Sequence, residues 1–517
     1  MRLNRTLVSA FAAVSVVALA LRLYNLDVLP GEWYGDISIV NDYVSSIQSL
    51  HWPVGFTLSA GPFYHYLITP VVATLGHSYL SFKLASVIVS LLAIVATMLL
   101  AYEIGGSRLS LLAGLISGAS SWLLVFSRLG NSQIAIPALT GFTGYFLARY
   151  ARTGRQRDAV LGAAISAIGL YSYPQTFILP AVSLLILAFY SFRSRRRAYR
   201  DFLVSCLVVL AVAVPFVFIV TGQSDNFQTG YVGDKFFGTG QESIDVAAVT
   251  LARNLLTTAL MLHVRGDVVF RSNPPQSPQL DLVSGLFFIL GMLDLIFGKK
   301  RRFLPLILIS LAILIVPGAW PFLPPSEIPS ASRTLGITPF VYLLVADGLL
   351  WLYYTVKGEL GKARYVGARR IGSYAIVGAA VGVILILNGN RYFVTYAWGL
   401  PNHNTAYDKI IASKINALPA DASVYLGGCC WGDWGQPEPD GIVHELQGSR
   451  DVTFLQPEQF SCGAVQRDRS PQYFFWDPRD KSKGFARLKE CLPGGQEAER
   501  RSQYGDIIYL EYRWTRP

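Results

Sequence analysis

RYARTGRQR, residues 149–157, places four arginines in nine residues between two long apolar runs. The same punctuation recurs as RSRRRAYR at 193–200, as KKRR at 299–302, between Lys357 and Arg370, and at Arg2 and Arg5 ahead of the first apolar run. Basic loops alternating with runs of roughly 16 to 22 apolar residues are the pattern of a multi-pass membrane protein that keeps its lysines and arginines in the cytoplasm. The rest of the chain is therefore sorted by side.

Composition agrees with that class. Of 517 residues, 52% are hydrophobic and only 15% charged, and the mean hydropathy is +0.39. The net charge of +11 lies mostly in the loops just quoted, so it reports membrane topology, and no nucleic acid partner is expected. The run at 6–21 follows a basic start and precedes many further runs, so it reads as a retained helix and not a cleaved leader.

The segment PFYHYLITPVVATLG at 62–76 decides the parity of the topology. It is too short to cross comfortably and is expected to lie in the outer interface. With it so placed, about eleven helices are expected, near 6–21, 82–104, 109–126, 134–149, 158–172, 175–191, 201–221, 281–297, 303–319, 334–355 and 371–388. The expected fold is mainly α: a polytopic transmembrane bundle over 1–390, followed by a small extracytoplasmic α/β domain over 391–517. The basic clusters then fall inside with the N-terminus. The outward segments include a first loop at 22–81, a long loop at 222–280 and the tail. Within the tail, strands are expected at 423–426, 452–455, 473–476 and 507–512, and helices near 405–418 and 481–492. Cys429, Cys430, Cys462 and Cys491 lie in this exported tail, where disulfides are permitted but the pairing is open.

Chemistry is expected on the outward side. The first loop reads LPGEWYGDISIVNDYV at 29–44 and sets Glu32, Asp36 and Asp42 around Trp33 and Tyr34. A carboxylate beside a membrane face is partly desolvated, which raises its basicity toward what a general base needs. His65, Lys83, Arg128, Arg265, Arg271 and Arg333 also map outward, against the usual charge bias. Guanidinium groups suit phosphate oxygens, so the set points to an anionic substrate at the outer surface. The chain has no P-loop, HExxH or nucleophile-elbow motif, which leaves cytosolic nucleotide chemistry without a site.

The ordered segments LPGEWYGDISIVND, GPFYHYLITPVVATLG, LSFKLASVIVSLLAIVATMLLAYEIGGSRLSLLAGLISGASSWLLVFSRLG, YSYPQ, MLHVRGDVVFRSNPPQSPQLDLVSG and SASRTLGITPFVYLLVADGL give the chain a family likeness. It resembles the membrane-embedded C-type glycosyltransferases of the protein O-mannosyltransferase and lipid A aminoarabinose transferase group, the glycosyltransferase family 39-like superfamily. The resemblance implies an inverting transfer of a hexosyl or pentosyl sugar from a polyprenyl-phosphate donor to a lipid, glycan or protein acceptor on the extracytoplasmic side. Asp36 matches the acidic residue that acts as base in such families, sometimes near a divalent cation (Mg or Mn). Lys83, Arg128, Arg265, Arg271 and Arg333 become candidates for the donor phosphate. Glu32, Tyr34, Asp42, His65 and Tyr173 become candidates for the acceptor or sugar pocket. The chain departs from the family pattern at Ile37, Gly61 and Gln133. Two other functions fit the same outline: a transporter or flippase of a lipid-linked glycan, and a ligase that moves a preassembled glycan.

Overall fold

The computed structural model describes the chain outside residues 1–4, 34–36, 57–60, 194–196, 223–234, 236–242, 360–365, 433–435, 449, 456–461, 466–470 and 517. It divides into two units, one of Met1–Leu26 with Ile39–Tyr396, the other of Asp27–Ser38 with Ala397–Pro517. The second unit thus takes a dozen residues from the first loop.

The first unit is helical. Helices α1 (Arg5–Leu23), α2 (Ile37–Gln48), α3 (Pro62–Leu75), α4 (Tyr79–Ala119), α5 (Ser121–Arg128), α6 (Ala135–Thr153), α7 (Gln156–Ile168), α8 (Leu179–Arg193) and α9 (Arg197–Gly222) follow one another. Then come α10 (Ile244–Leu260), α11 (Leu282–Phe297), α12 (Leu304–Leu314), α13 (Thr338–Glu359) and α14 (Val366–Asn390). Each expected apolar run is thus helical. Among the described residues, six segments are long and apolar enough to cross a membrane: 79–119, 174–193, 199–222, 301–319, 335–358 and 372–399. A straight helix of 41 residues would extend about 60 Å, twice a hydrocarbon core, and α4 does not run straight. Gly106 adopts φ +77°, a left-handed conformation that side chains disfavour, and the chain doubles back so that Ser110 donates to the Met98 carbonyl at 2.7 Å. Helix α3, at 14 residues, would extend only about 21 Å and stays short of a span.

Cross-contacts sort the helix ends into two sets. At one end Arg152 bonds Glu103, Arg108 bonds the Tyr354 hydroxyl, the Tyr190 hydroxyl donates to the Arg302 carbonyl and Arg200 reaches Gln156. These residues flank the basic loops. At the other end the C-terminus of α1, the N-terminus of α4, the C-terminus of α5, the N-terminus of α11 and the C-terminus of α14 meet. There Asn388 Nδ2 donates to Asp281 Oδ2 at 2.8 Å and its Oδ1 accepts from Ser121 N–H at 2.9 Å. Helix alternation thus gathers the basic loops at one end and leaves the other for the site.

Small residues bring the helices close, as is usual where lipid replaces water and packing supplies the cohesion. Gly348 of α13 lies against the Phe287 carbonyl of α11, and Gly291 of α11 against the Leu344 carbonyl of α13, closer than any Cβ could stand. Gly348→Val must therefore push the two helices apart and is expected to cost on the order of 3 kcal/mol. A melting temperature in detergent that equals wild type would contradict this crossing.

The second unit has a five-stranded sheet in the order β2-β1-β3-β5-β4, with β1 (Ser423–Gly427), β2 (Val452–Leu455), β3 (Gln472–Trp476), β4 (Gln496–Arg501) and β5 (Ile507–Trp514). Strands β2, β1 and β3 are parallel, while β5 runs antiparallel to β3 and β4. Alternate residues serve opposite faces, as a period of two demands. Val424, Leu426, Tyr473 and Phe475 pack with Tyr407, Ile411 and Ile415 of α15 (Tyr407–Asn416). Tyr425, Phe474 and Trp476 pack with Leu488 and Cys491 of α17 (Gly484–Cys491) on the other face. Helix α16 (Pro439–His444) lies on the α15 side, with Ile442 in that core. The cysteines pair as Cys429–Cys430 and Cys462–Cys491.

Candidate functional site

In the first unit, the bundle end free of basic loops holds a set of buried cations. Arg22, Lys83 and Arg128 are each 0% exposed. Arg22 ends α1 and donates to Ser90 Oγ at 2.8 Å, to the Ala18 carbonyl at 3.0 Å and to the Gly118 carbonyl at 2.6 Å, while its Nη2 has no hydrogen-bond partner. Lys83, one turn into α4, donates to the Leu26 carbonyl at 2.9 Å and stands 4.1 Å from the Tyr79 ring centre. Arg128, the last residue of α5, donates to the Leu21 carbonyl at 3.0 Å and lies over the Tyr392 ring at 5.1 Å. Arg22 and Arg128 are close enough to repel each other. These carbonyl oxygens and aromatic faces orient the three side chains.

Around this set runs a polar belt. Tyr392 stacks on Tyr396 at 5.2 Å, and the Tyr396 hydroxyl donates to the Arg271 carbonyl at 3.0 Å. Arg391 donates to Asn273 Oδ1 at 3.1 Å and leaves its Nε without a partner. Asn273 in turn donates to the Asp267 and Ser277 carbonyls. Asp267 is 1% exposed and joins two loops, accepting from Val269 N–H at 2.8 Å and from Ala331 N–H at 2.7 Å. Burial pushes its carboxyl up to about 6, opposed by those two N–H groups and by Arg333 and Arg271.

The residues expected from sequence fall into several places. Lys83 and Arg128 belong to the buried set. Arg271 reaches it through its backbone, with an exposed side chain, and Arg265 is exposed. Arg333 is paired with Glu327 at 2.5 Å. Tyr173 accepts from Gln133 at 3.1 Å. Asp42 is exposed on α2 and lines a cavity of ≈ 310 Å³ with Tyr43, Ser46, Pro53 and Phe56. Asp36 and Tyr34 lie outside the described residues. Arg22, Arg391, Asp267 and the Tyr392–Tyr396 pair were not anticipated. The signal was present for Arg22 and Arg391, since each closes an apolar run on the side where cations are disfavoured.

His65 is buried on α3 and donates through Nδ1 to the Gly61 carbonyl at 3.0 Å, which fixes the tautomer; its ring stacks on Tyr43 at 4.1 Å. Its Nε2 then carries a lone pair with no partner. Burial lowers its pKa to about 4, so at neutral pH it is an uncharged acceptor and cannot pair with phosphate. A base depressed from about 6.5 on folding stabilises the fold fully above pH 6.5, and that contribution is lost as pH falls through 4. His65→Phe keeps the stack and is expected to remove this acid sensitivity from a melting-temperature profile between pH 4 and 6.5. A wild-type profile flat across that window would refute the assignment.

Glu32 lies in the second unit. Helix α15 has no capping side chain of its own, and Glu32 Oε1 supplies one by accepting from Tyr407 N–H at 2.8 Å and Asp408 N–H at 3.2 Å. Asp408 Oδ2 accepts from Trp33 N–H at 3.2 Å. Burial first, and the nearby Asp408 second, raise the Glu32 carboxyl well above its usual range, and burial carries Asp408 up to about 7. Acids raised in this way hold the segment most firmly at low pH. For Asp408 that contribution is lost as pH climbs from its ordinary value through 7. Among the described residues no group of three or more His, Cys, Asp or Glu side chains could hold a metal ion.

Over 98% of this chain and 97% of its own, ArnT from Cupriavidus metallidurans bound to undecaprenyl phosphate has a similar fold, with a TM-score of 0.56 and 12% sequence identity. The apo state of the same protein gives 0.55 and 14% over 98% and 97% of the two chains. The Archaeoglobus fulgidus oligosaccharyltransferase in its apo form matches 97% of this chain with 74% of its own, at a TM-score of 0.50 and 13% identity. No curated protein sequence matches the chain. Residues 59–219 fit the model of the dolichyl-phosphate-mannose-protein mannosyltransferase family. The family model thus matches less than half of the chain, and the likeness to the solved structures, over nearly all of it, is one of fold.

Proposed function

We propose that this protein transfers a sugar from a polyprenyl-phosphate donor to an acceptor on the extracytoplasmic side of the membrane, with inversion at the anomeric carbon. The observation that carries this reading is the set of Arg22, Lys83 and Arg128, buried at one helix end with Arg22 Nη2 unpartnered. A lipid phosphate oxygen can accept from the unpartnered Arg22 Nη2, and Lys83 and Arg128 are further cationic donors of a kind that suits phosphate. The isoprenoid tail then has the apolar helix surfaces to run along.

The chemistry follows from a good leaving group. The acceptor hydroxyl or amine attacks the anomeric carbon, and its proton passes to the Asp36 carboxylate. The bond from that carbon to the phosphate oxygen breaks, and its electrons leave with the polyprenyl phosphate, whose growing charge the cations stabilise. No step is assigned to a divalent cation. The neutral His65 and the cavity at Asp42 and Tyr43 suit hydroxyl groups of a sugar or acceptor.

Binding tests the reading most simply. Polyprenyl phosphate is expected to raise the melting temperature of the purified protein, whereas polyprenol without phosphate leaves it unchanged. Equal shifts from both lipids would assign the effect to the tail and remove the phosphate site.

A further inference from the structure

Helix α14 passes, after Asn390, into a π-helical turn over Arg391–Tyr396. Such turns, in which hydrogen bonds span five residues, are rare and are frequent at functional sites. This one leaves Val394 and Thr395 exposed and carries Tyr392 and Tyr396 inward, 0% and 2% exposed. The two buried tyrosines use their hydroxyls differently. Tyr396 donates to the Arg271 carbonyl at 3.0 Å. The Tyr392 hydroxyl has no hydrogen-bond partner among the described residues, although its ring is held by Tyr396 at 5.2 Å and by the Arg128 guanidinium at 5.1 Å.

A buried phenol hydroxyl normally finds an acceptor, because leaving its proton unmatched costs stability. The cations close enough to act on this one are Arg128 and Arg22, and a guanidinium carries donors only. Neither can take the Tyr392 proton. Arg22 Nη2, in the same buried cluster, is a second donor without a partner among the described residues. One oxyanion answers both, since its oxygens accept from neutral and charged donors alike. We propose that Tyr392 is a phosphate-binding residue, whose hydroxyl donates to an oxygen of the polyprenyl phosphate that Arg22 also holds, and that the π-helical turn ending α14 aims it there. The proposal rests on the transferase reading above and adds a neutral donor to its cations. The proton stays on the tyrosine oxygen throughout, and the hydrogen bond strengthens as the phosphate takes up charge from the breaking bond.

The test uses the full chain purified in detergent and Tyr392→Phe, which removes the hydroxyl and keeps the ring against Tyr396 and Arg128. Because that hydroxyl bonds none of the described residues, the unliganded melting temperature is expected to equal that of wild type. Polyprenyl phosphate is expected to bind the variant about 10-fold more weakly in competition against a labelled lipid phosphate. Polyprenol, which lacks the phosphate, should bind both proteins alike. Tyr396→Phe calibrates the melting assay, since it breaks the bond to the Arg271 carbonyl and should lower the unliganded melting temperature. A fall of the same size in Tyr392→Phe would reveal a bond within the protein and overturn the proposal. An equal loss for polyprenol would assign the effect to the tail and overturn it as well. Equal affinity of wild type and Tyr392→Phe for polyprenyl phosphate overturns the role of Tyr392 while leaving the transferase reading intact. Wild-type protein that binds polyprenyl phosphate no better than polyprenol overturns both.

Discussion

Asp36→Asn is expected to lower kcat for sugar transfer by about a thousandfold while polyprenyl phosphate still binds as in wild type. The amide matches the carboxylate in size but cannot take the acceptor proton, and general-base contributions commonly reach two to four orders of magnitude. Glu32 and Asp42 are the neighbouring carboxyls of the same loop, and their surroundings differ. Glu32 is spent on the backbone of α15 with its carboxyl raised by burial, and Asp42 stands exposed at the cavity on α2. Asp42→Asn is therefore expected to change transfer far less than Asp36→Asn. Comparable losses in both variants, measured with matched expression and melting temperature, would move the base to Asp42.

The second large effect belongs to the buried cations. Lys83→Met and Arg128→Met are each expected to weaken polyprenyl phosphate binding by about 10- to 100-fold, the range for a charge-assisted hydrogen bond lost from a covered site. Arg22→Met should weaken it similarly and also lower the melting temperature, because Arg22 ties α1 to both arms of α4 through Ser90 and Gly118. Arg265→Ala, at an exposed position, is the contrasting substitution and should change affinity by no more than about twofold. Competition against a labelled lipid phosphate measures all four. Equal affinities across the set would remove the phosphate from this end of the bundle.

Much of the helical unit was legible because its signals are local. Apolar run length and loop charge depend on neighbouring residues, so the helices from 6–21 through 371–388 could be placed, as could the short helix at 62–76. In the tail, β1, β2, β3 and β5 announced themselves by apolar alternation. Strand β4 did not: its sequence QEAERR is exposed along its length, and an edge strand of this kind is defined by its partner and not by its own pattern. Helix α10 was hidden in a loop that reads as irregular, although Ile244, Val246 and Val249 are exposed apolar residues along it.

The site was harder to read for a physical reason. Lys83, Arg128, Arg22 and Arg391 all carry the same local signal, a cation at a helix end on the unusual side, but that signal does not say which of them fold together. Glu32 illustrates the same limit more sharply. Its acidity and loop position suggested a pocket residue, whereas its partners stand 375 and 376 positions away. No local pattern records such a contact, and the first-loop segment's attachment to the tail rests on contacts of this kind.

The central claim is best tested with purified protein in liposomes, supplied with polyprenyl-phosphate monosaccharides labelled in the sugar, following both the free lipid phosphate and the labelled product. The account predicts stoichiometric release of polyprenyl phosphate with a product of inverted anomeric configuration, both abolished in Asp36→Asn. Labelled lipid that crosses the bilayer intact, with no phosphate released, would contradict it and make the protein a carrier of the lipid-linked sugar.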